Sequence, residues 1–276
     1  MSIITLTTDF GTKDYTVAAI KGRLFQDLED VAIIDISHQI TPFNVPEAAY
    51  ILKGAYPNFP KNTVHIIGVD SEKNDLHKHL VVRLNNHFFI GADNGIFSLL
   101  SGSEPFDEIV EIHHPKSETS SFPTLDVFVD IAVEIINGTP LSNIGESIQE
   151  CKEWLLNKPN ISKENELIGH IIYIDQLGNV VTDISKELFD RVVSNRNFEI
   201  IVSVAKINKI HANYSALINY SLPPSQQQKP GKAMAIFNSL NLLEIALYKG
   251  EPNKGGSAAN LLGLCVGDSI KITYNN

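Results

Sequence analysis

Several kinds of residue are scarce in this chain, and each scarcity argues against a class of protein. Only two of the 276 residues are cysteine, Cys151 and Cys265, and their spacing matches neither a disulfide framework nor a metal site. No apolar run of about 18 residues occurs, and no basic leader precedes an apolar stretch. The composition therefore predicts a cytoplasmic protein with neither an export signal nor a membrane partner.

Basic residues are also in deficit. The chain has 22 lysines and arginines against 32 aspartates and glutamates, a formal net charge of −10. Such a chain has no positive field to attract a phosphate backbone, so nucleic acid is a poor candidate partner. The glycine-rich phosphate-binding patterns GxGxxG and GxxxxGK[ST] are missing too. The sequence therefore supports neither nucleic-acid binding nor nucleotide binding through these patterns.

What the sequence does contain is two regions of different character. Residues 1–150 alternate short β-branched runs with amphipathic helical patterns, which predicts an α/β N-terminal domain with a mainly parallel, helix-covered sheet. Residues 167–276 consist mostly of short strand-like runs separated by turn residues, which predicts an antiparallel β-barrel or sandwich domain. The segment 151–166 is the predicted linker.

Aspartates stand where predicted strands of the first domain end. Ligands of parallel sheets bind at the carboxyl ends of the strands, where Asp9 and Asp70 both fall. Asp9 could accept hydrogen bonds from a pair of ligand hydroxyls. Alternatively, Asp9 or Asp14 caps the helix that begins near Tyr15, because helix N-termini favour aspartate.

Two histidines follow Asp70 in the stretch GVDSEKNDLHKH. An aspartate beside His77 and His79 could orient or deprotonate a water, since imidazole titrates near neutral pH. The same residues also fit a solvated loop. His113 and His114 end another strand, so four histidines could gather at one edge of the sheet, but no ligand motif accompanies them. We therefore expect no metal.

Two further stretches combine polar residues with glycine. GADNGIF, residues 91–97, is typical of a turn before a helix, and IDQLGN, residues 174–179, is typical of a tight hairpin turn. A cleft between the two domains could nonetheless be lined by the second stretch, because domain interfaces are favoured places for ligands.

Taken together, these stretches resemble one family, the S-adenosylmethionine hydroxide adenosyltransferases, which are related to the bacterial fluorinases and chlorinases. The resemblance runs from Ile3 to about Ile272. It is carried, in order, by TDFGTKDYTVAAIKG, DISHQITPFNVPEAAYIL, FPKNTVHIIGVD, GADNGIFSLL, IDQLGNVVTDI and NSLNLLEIA.

The resemblance implies a ligand, an assembly and a reaction. The ligand is S-adenosylmethionine, or an adenosine-like molecule, with no other cofactor. The assembly is a trimer whose active sites lie between the N-terminal domain of one subunit and the barrel of its neighbour. The reaction moves the adenosyl C5′ from the sulfonium sulfur to a nucleophile, and water as the nucleophile gives adenosine and methionine.

Roles for individual residues follow from the matched motifs. The resemblance implies that Asp9 holds the ribose hydroxyls and that Phe43 lies near the ribose. Asn179 would face the adenosyl part, and Asp175 and Ser239 the methionine end. A carboxylate suits an ammonium group, which agrees with the role of Asp175.

Further residues come from the same matches. Asp93 and Asn94, in the GADNG stretch, are added to the substrate-binding set. Asp70 occupies the position that orients the attacking water.

The chain departs from the family at the residues expected to act with Asp70. The family's triad is Asp, Arg and His; its Arg position is His77 here, and its Phe-His-Gly-Arg-Asp motif corresponds to residues 122–126, with Pro123 in place of the histidine. Proline can neither exchange a proton nor accept one on its side chain. The hypothesis is a cleaving enzyme in which Asp70 orients water and His77 substitutes for the arginine. The alternative is a non-catalytic member that binds the ligand without cleaving it.

The second domain departs as well. Leu240 stands where the fluorinases have an arginine next to Ser239, and the run YKGEPNKGGSAAN, residues 248–260, replaces a shorter Asn-Gly-Gly-Asn motif. This leaves the adenine contacts unassigned.

Overall fold

Two compact units, Met1–Leu155 and Leu156–Asn276, make up the computed structural model of the chain. The structure describes residues 1–155, 158–162, 165–228 and 231–275. The predicted linker 151–166 therefore lies in part outside the described residues, at 156–157 and 163–164, and the predicted domain limits stay predictions.

The first unit contains one sheet, helices and helical turns. Its strands are β1 (Ser2–Thr8), β2 (Val31–Ser37), β3 (Val64–Gly68), β4 (His79–Leu84), β5 (His87–Ala92), β6 (Glu108–Ile112) and β7 (Gly145–Ser147). Its helices are α1 (Thr16–Asp27), α2 (Val45–Ala55), α3 (Ile96–Ser101), α4 (Val129–Ile136) and α5 (Leu141–Ile144). A 3₁₀ turn lies at Tyr56–Asn58, and a π-helical turn at Thr124–Phe128 leads into α4.

The sheet of the first unit is mixed. Its order is β2-β1-β3-β5-β4-β6-β7, and the neighbours are parallel from β2 to β5 and antiparallel from β5 to β7. The prediction of a mainly parallel sheet was therefore wrong. The reason is the two-residue turn Asn85-Asn86, with φ of 53° and 63°, because so short a turn can join only antiparallel strands.

Helices cover both faces of this sheet. Apolar residues of α1 and α4 pack with β1 and β3 in one buried cluster, and those of α2 and α3 pack in a second. In α2 the Asn44 side chain caps the first turn by accepting the N–H of Glu47 at 3.2 Å. The N-cap of α1 is Tyr15, without a side-chain hydrogen bond, so the interpretation of Asp9 or Asp14 as the cap was wrong.

The second unit is built mostly from strands. They are β8 (Asn160–Ser162), β9 (Glu166–Ile174), β10 (Val180–Ser185), β11 (Phe198–Val202), β12 (Ala205–Ile207), β13 (Ile210–His211), β14 (Ala233–Phe237), β15 (Leu242–Leu247) and β16 (Ser269–Tyr274). The helices are α6 (Lys186–Val193) and α7 (Ala258–Leu262). Short 3₁₀ turns lie at Tyr214–Leu217, Pro224–Gln226 and Pro252–Lys254.

These strands form a nearly closed, barrel-like sheet. The order is β12-β11-β16-β9-β10-β15-β14-β13, with β8 also paired to β9, and each of these pairs except β13 with β14 is antiparallel. Strand β12, at one end of this order, lies beside β14 near the other end. The predicted antiparallel domain is confirmed in this form. Among the helices in the described part of the chain, none has the length and apolar character needed to cross a membrane.

Candidate active site

The carboxyl ends of β1 and β3 bring Asp9 and Asp70 to the same edge of the sheet. The Asp9 N–H donates to the Gly68 carbonyl oxygen at 3.3 Å, which ties the two strand ends together. The Asp9 Oδ2 atom accepts the N–H of Phe43 at 2.8 Å. Phe43 has a φ of +63°, and its ring is 72% exposed.

Burial governs the ionisation of Asp9. It raises the pKa of the Asp9 carboxyl, the backbone N–H groups of Phe43 and Asp70 oppose this shift, and the nearby Asp70 charge adds to it. Asp9 and Asp70 thus act on one another electrostatically. An edge that carries two interacting carboxylates suits a ligand that is cationic or rich in hydroxyl groups.

Asp70 has an unusual backbone that is held in place by Asn94. Its φ is +44°, a region that aspartate enters more readily than most residues. The Asn94 Nδ2 atom donates to the carbonyl oxygens of Val69 at 3.0 Å and Asp70 at 3.1 Å. Because Asn94 is itself buried, it fixes the main chain from which the Asp70 carboxylate projects.

His77 is the histidine closest to Asp70 among the four predicted. Its Nδ1 atom lies 3.9 Å from Asp70 Oδ2, and its side chain is 18% exposed. On the other side of the ring, Nε2 lies 3.1 Å from Lys152 Nζ. The structure therefore brings Asp70 and His77 together, as the hypothesis requires.

His79 is fully buried, so the interpretation as a solvated loop was wrong for this residue. Its Nε2 atom lies 3.0 Å from the Ser71 carbonyl oxygen, and its ring packs edge-on against Phe128. Strand β4 begins at His79, which turns the side chain inward. Burial lowers the pKa of His79 to about 4.

The remaining two histidines lie apart from Asp70. His113 is exposed, and His114 pairs with Asp130 at 3.3 Å. Over the described ranges, no group of three or more His, Cys, Asp or Glu side chains is arranged to hold a metal ion.

Thr124 follows Pro123 in the chain and contacts Ser71, the residue after Asp70. It is completely buried, and its Oγ1 donates to Ser71 Oγ at 3.1 Å. A Cβ added to Gly68 would lie 3.0 Å from Thr124 Oγ1, so a larger residue at the end of β3 would crowd this hydroxyl. Pro123 has no side-chain proton to supply, whereas Thr124 and Ser71 each carry a hydroxyl.

Asp93 is buried and positions a later part of the chain. Its Oδ1 atom accepts the N–H of Lys152 at 2.8 Å. Burial raises the pKa of the Asp93 carboxyl, and the hydrogen bond from the Lys152 backbone and the Lys152 charge oppose part of that rise. The hydrogen bond between Asp93 and the Lys152 backbone thus joins two parts of the first unit.

Residues 151–154 are fixed on the first unit by two more contacts. The Trp154 N–H donates to Ser98 Oγ at 2.9 Å. Gly95 has a φ of +97°, and a Cβ there would lie 2.9 Å from the Trp154 ring. Sequence reasoning missed Lys152 because this segment was assigned to the linker. The one available signal was the tryptophan, the only one in the chain.

In the second unit, Asp175 organises a tight hairpin between β9 and β10, as predicted. Its Oδ1 atom accepts the N–H groups of Leu177 at 2.9 Å and Asn179 at 2.8 Å, and its Oδ2 accepts Asn179 Nδ2 at 2.9 Å. Asn179 is buried, and Gly178 has a φ of +70°. Both carboxylate oxygens thus stabilise the turn.

Glu244 lies near this hairpin and was missed by sequence reasoning. It is 4% exposed, and the Tyr214 hydroxyl donates to its Oε1 at 2.6 Å. Burial raises the pKa of Glu244, hydrogen bonds from Tyr214 and Asn238 oppose this, and the Asp175 charge adds to it. Its only sequence signal is a glutamate within the apolar run of β15. Ser239 lies exposed in the turn between β14 and β15.

Residues 248–260 pack against the same hairpin. Ser257 is buried and caps α7 by accepting the Asn260 N–H at 3.2 Å. The Ala259 N–H donates to the Gly178 carbonyl oxygen at 3.0 Å. This run, which sequence reasoning left unassigned, therefore supports the turn that carries Asp175 and Asn179.

We expect Gly178→Ala to destabilise the second unit. A Cβ at Gly178 would lie 2.3 Å from Ser257 Cβ, and the positive φ adds strain. Steric overlap should cost about 1–3 kcal/mol beyond a backbone cost of about 1–2 kcal/mol. Gly255→Ala is the matched control, since Gly255 has a φ of +76° but open space around it. Thermal unfolding should show a clearly lower midpoint for Gly178→Ala, and equal midpoints would contradict the packing described.

Comparison with known proteins places the chain in a family. The model described as SAM hydroxide adenosyltransferase N-terminal domain matches residues 4–145, and that of the C-terminal domain matches residues 169–271. A protein of Methanocaldococcus jannaschii named (R)-S-adenosyl-L-methionine hydrolase is 31% identical over 280 residues, covering 99% of this chain and 97% of the relative. A protein of the same name from Salinispora arenicola is 25% identical, covering 98% and 97%.

A solved structure is similar over nearly the whole chain. The crystal structure of an uncharacterized conserved protein from Thermotoga maritima has a TM-score of 0.82 and 26% sequence identity, covering 98% of this chain and 99% of that chain. The family models together match well over half of the residues. This chain belongs to the S-adenosylmethionine hydroxide adenosyltransferase family.

Proposed function

We propose that this protein cleaves S-adenosylmethionine with water, giving adenosine and methionine. Two relatives that match almost end to end carry the name of that hydrolase. The single observation that carries the proposal is the Asp70 carboxylate at the carboxyl end of β3, with His77 Nδ1 3.9 Å away. This pair supports cleavage despite the proline at position 123.

The reaction is a displacement at a carbon that already bears a good leaving group. The water oxygen bonds to C5′ while the C5′–S bond breaks, and the electron pair of that bond stays on sulfur. Methionine therefore leaves as a neutral thioether, and the proton of the attacking water passes to Asp70 or to solvent. Little acid catalysis is needed, so orienting and desolvating the water can supply much of the rate.

The remaining predicted residues receive binding roles in this proposal. Asp9 accepts the ribose hydroxyls and Phe43 lies near the ribose, which the exposed ring of Phe43 supports. In the second unit, Asn179 contacts the adenosyl part, and Asp175 and Ser239 contact the methionine end.

Asp93 and Asn94 differ from these residues in what their side chains contact. A substrate contact for either residue stays a prediction, because the hydrogen bonds described for their side chains are made within the first unit. Those bonds support a positioning role.

The proposal includes the assembly that the family resemblance implies. We infer a cytoplasmic trimer in which the first unit of one subunit and the second unit of a neighbour complete each site. Light scattering on the purified protein gives its mass in solution. A monomer that cleaves the substrate at full rate would contradict the shared site.

The activity is tested by incubating the purified protein with S-adenosylmethionine and separating the products by chromatography. We expect equal amounts of adenosine and methionine, in excess of a reaction with Asp70→Ala. Calorimetric binding without products would favour the non-catalytic alternative, and absence of both would leave only the family assignment.

A further inference from the structure

A row of polar groups runs from Asp70 through His77 to Lys152. The Lys152 ammonium lies 3.1 Å from His77 Nε2, and the opposite ring nitrogen lies 3.9 Å from Asp70 Oδ2. An ammonium can only donate, so Nε2 must accept. The neutral ring then carries its proton on Nδ1, the nitrogen that faces the Asp70 carboxylate.

Asn74 lies beside the same ring and competes with this arrangement only weakly. Its Oδ1 accepts the N–H groups of Leu76 at 2.8 Å and His77 at 3.0 Å, which turns its Nδ2 toward His77 Nδ1 at 3.4 Å. The Lys152 contact is shorter and involves a full charge, and hydrogen bonds from ionised donors are about twice as strong as neutral ones. The Lys152 contact therefore favours the tautomer with the proton on Nδ1.

The backbone of Lys152 is held in position independently of its ammonium group. Asp93 accepts the Lys152 N–H at 2.8 Å, and two residues later the Trp154 N–H donates to Ser98 Oγ at 2.9 Å. The Trp154 ring packs against Gly95. These contacts lower the entropy lost when the exposed lysine side chain settles on His77.

We propose that Lys152 is a positioning residue for the reaction at Asp70. It keeps the Nδ1–H of His77 directed at the Asp70 carboxylate, and it supplies a permanent positive charge on the far side of the imidazole ring. The inference rests on the proposed function and adds to it the source of that charge. The charged groups around His77 are Asp70, Asp93, Lys152 and Lys78, and the Lys78 ammonium pairs with Glu111.

Removal of the ammonium is the first test. Lys152→Met should lower kcat by about 10-fold to 100-fold, the size of one hydrogen bond to a charged group. Lys152→Arg should restore most of the activity. Lys78→Met is the matched control, a lysine next to His77 in sequence whose ammonium pairs with Glu111 instead, and its kcat should stay near wild type.

A double substitution separates this role from a purely structural one. Arginine at position 77 carries its own permanent charge and has no tautomer to fix. In a His77→Arg background, Lys152→Met should therefore change kcat little, whereas a lysine needed only for folding would be required in both backgrounds.

The tautomer is measured without any turnover. Nitrogen-15 spectra of the His77 ring should show protonated Nδ1 in the wild type and a shift toward the other tautomer in Lys152→Met. An inactive wild type that shows this change would refute the proposed function alone. An active wild type whose kcat and His77 tautomer are unaltered by Lys152→Met would overturn the role of Lys152.

Discussion

Asp70→Asn should almost eliminate cleavage of S-adenosylmethionine while leaving binding and folding intact. Asparagine has the same shape as aspartate and also tolerates the φ of +44° at this position. The hydrogen bond from Asn94 Nδ2 to the carbonyl oxygen of residue 70 is kept. The substitution thus removes only the negative charge that orients the water and takes up its proton.

The expected loss is large because the charge acts directly on the reacting water. Loss of a group that handles the proton in the transition state lowers kcat by about 10²-fold to 10⁴-fold. The calorimetric Kd for S-adenosylmethionine should change little, since the remaining contacts are untouched. Asp75→Asn, an exposed carboxylate in the same loop, is the matched control and should retain wild-type kcat. An Asp70→Asn variant with wild-type kcat would show that the carboxylate has no part in the chemistry.

The second large effect is a loss of stability in mild acid, caused by buried histidines. His65 is completely buried in the first unit, where Thr5 Oγ1 lies 2.7 Å from its Nδ1 and His87 Nδ1 lies 3.1 Å from its Nε2. Its ring stacks on Phe89. Burial, with a smaller contribution from His87, lowers the pKa of His65 to about 3.

The sign of the effect follows from proton binding in the two states. Unfolded histidine takes up a proton near pH 6.5, whereas folded His65 does so only near pH 3 and folded His79 near pH 4. The unfolded state therefore binds more protons between these limits. Stability is complete above about pH 6.5 and falls as the pH drops toward 4. Between pH 7.5 and pH 5, the free energy of unfolding should fall by roughly 4 kcal/mol for the two groups together.

Urea unfolding at a series of pH values measures this loss. His65→Gln provides the comparison, because glutamine can hydrogen-bond to both neighbours but does not titrate in this range. The variant should be less stable at pH 7.5, and its stability should fall less steeply with pH than that of the wild type. Equal slopes for the two proteins would show that His65 does not carry the effect.

Local features of the sequence were predicted well because their causes lie within a few residues. The helix predicted to begin near Tyr15 is α1, which begins at Thr16 and buries Val17, Ile20 and Leu24. The hairpin at Asp175 was predicted from Asp-x-x-Gly-Asn, and all the hydrogen bonds of its carboxylate are to residues no more than four positions away.

Contacts between distant residues were not predictable in this way. The pattern of β-branched runs gave the strands but not the change from parallel to antiparallel order beyond β5. His79 was placed with the solvated loop because its neighbours in sequence are polar, yet pairing of β4 with β5 and β6 buries it.

The sequence by itself determined the family, the different character of its two regions, the hairpin turn at Asp175 and the carboxylate expected to orient water. These follow from short-range backbone preferences and from motifs that keep their order along the chain. Only the tertiary structure placed Lys152 beside His77, since these residues are 75 positions apart and meet through the contacts of Asp93 and Trp154. A charge acts over a few ångströms of space, and that distance is set by how the chain folds back on itself.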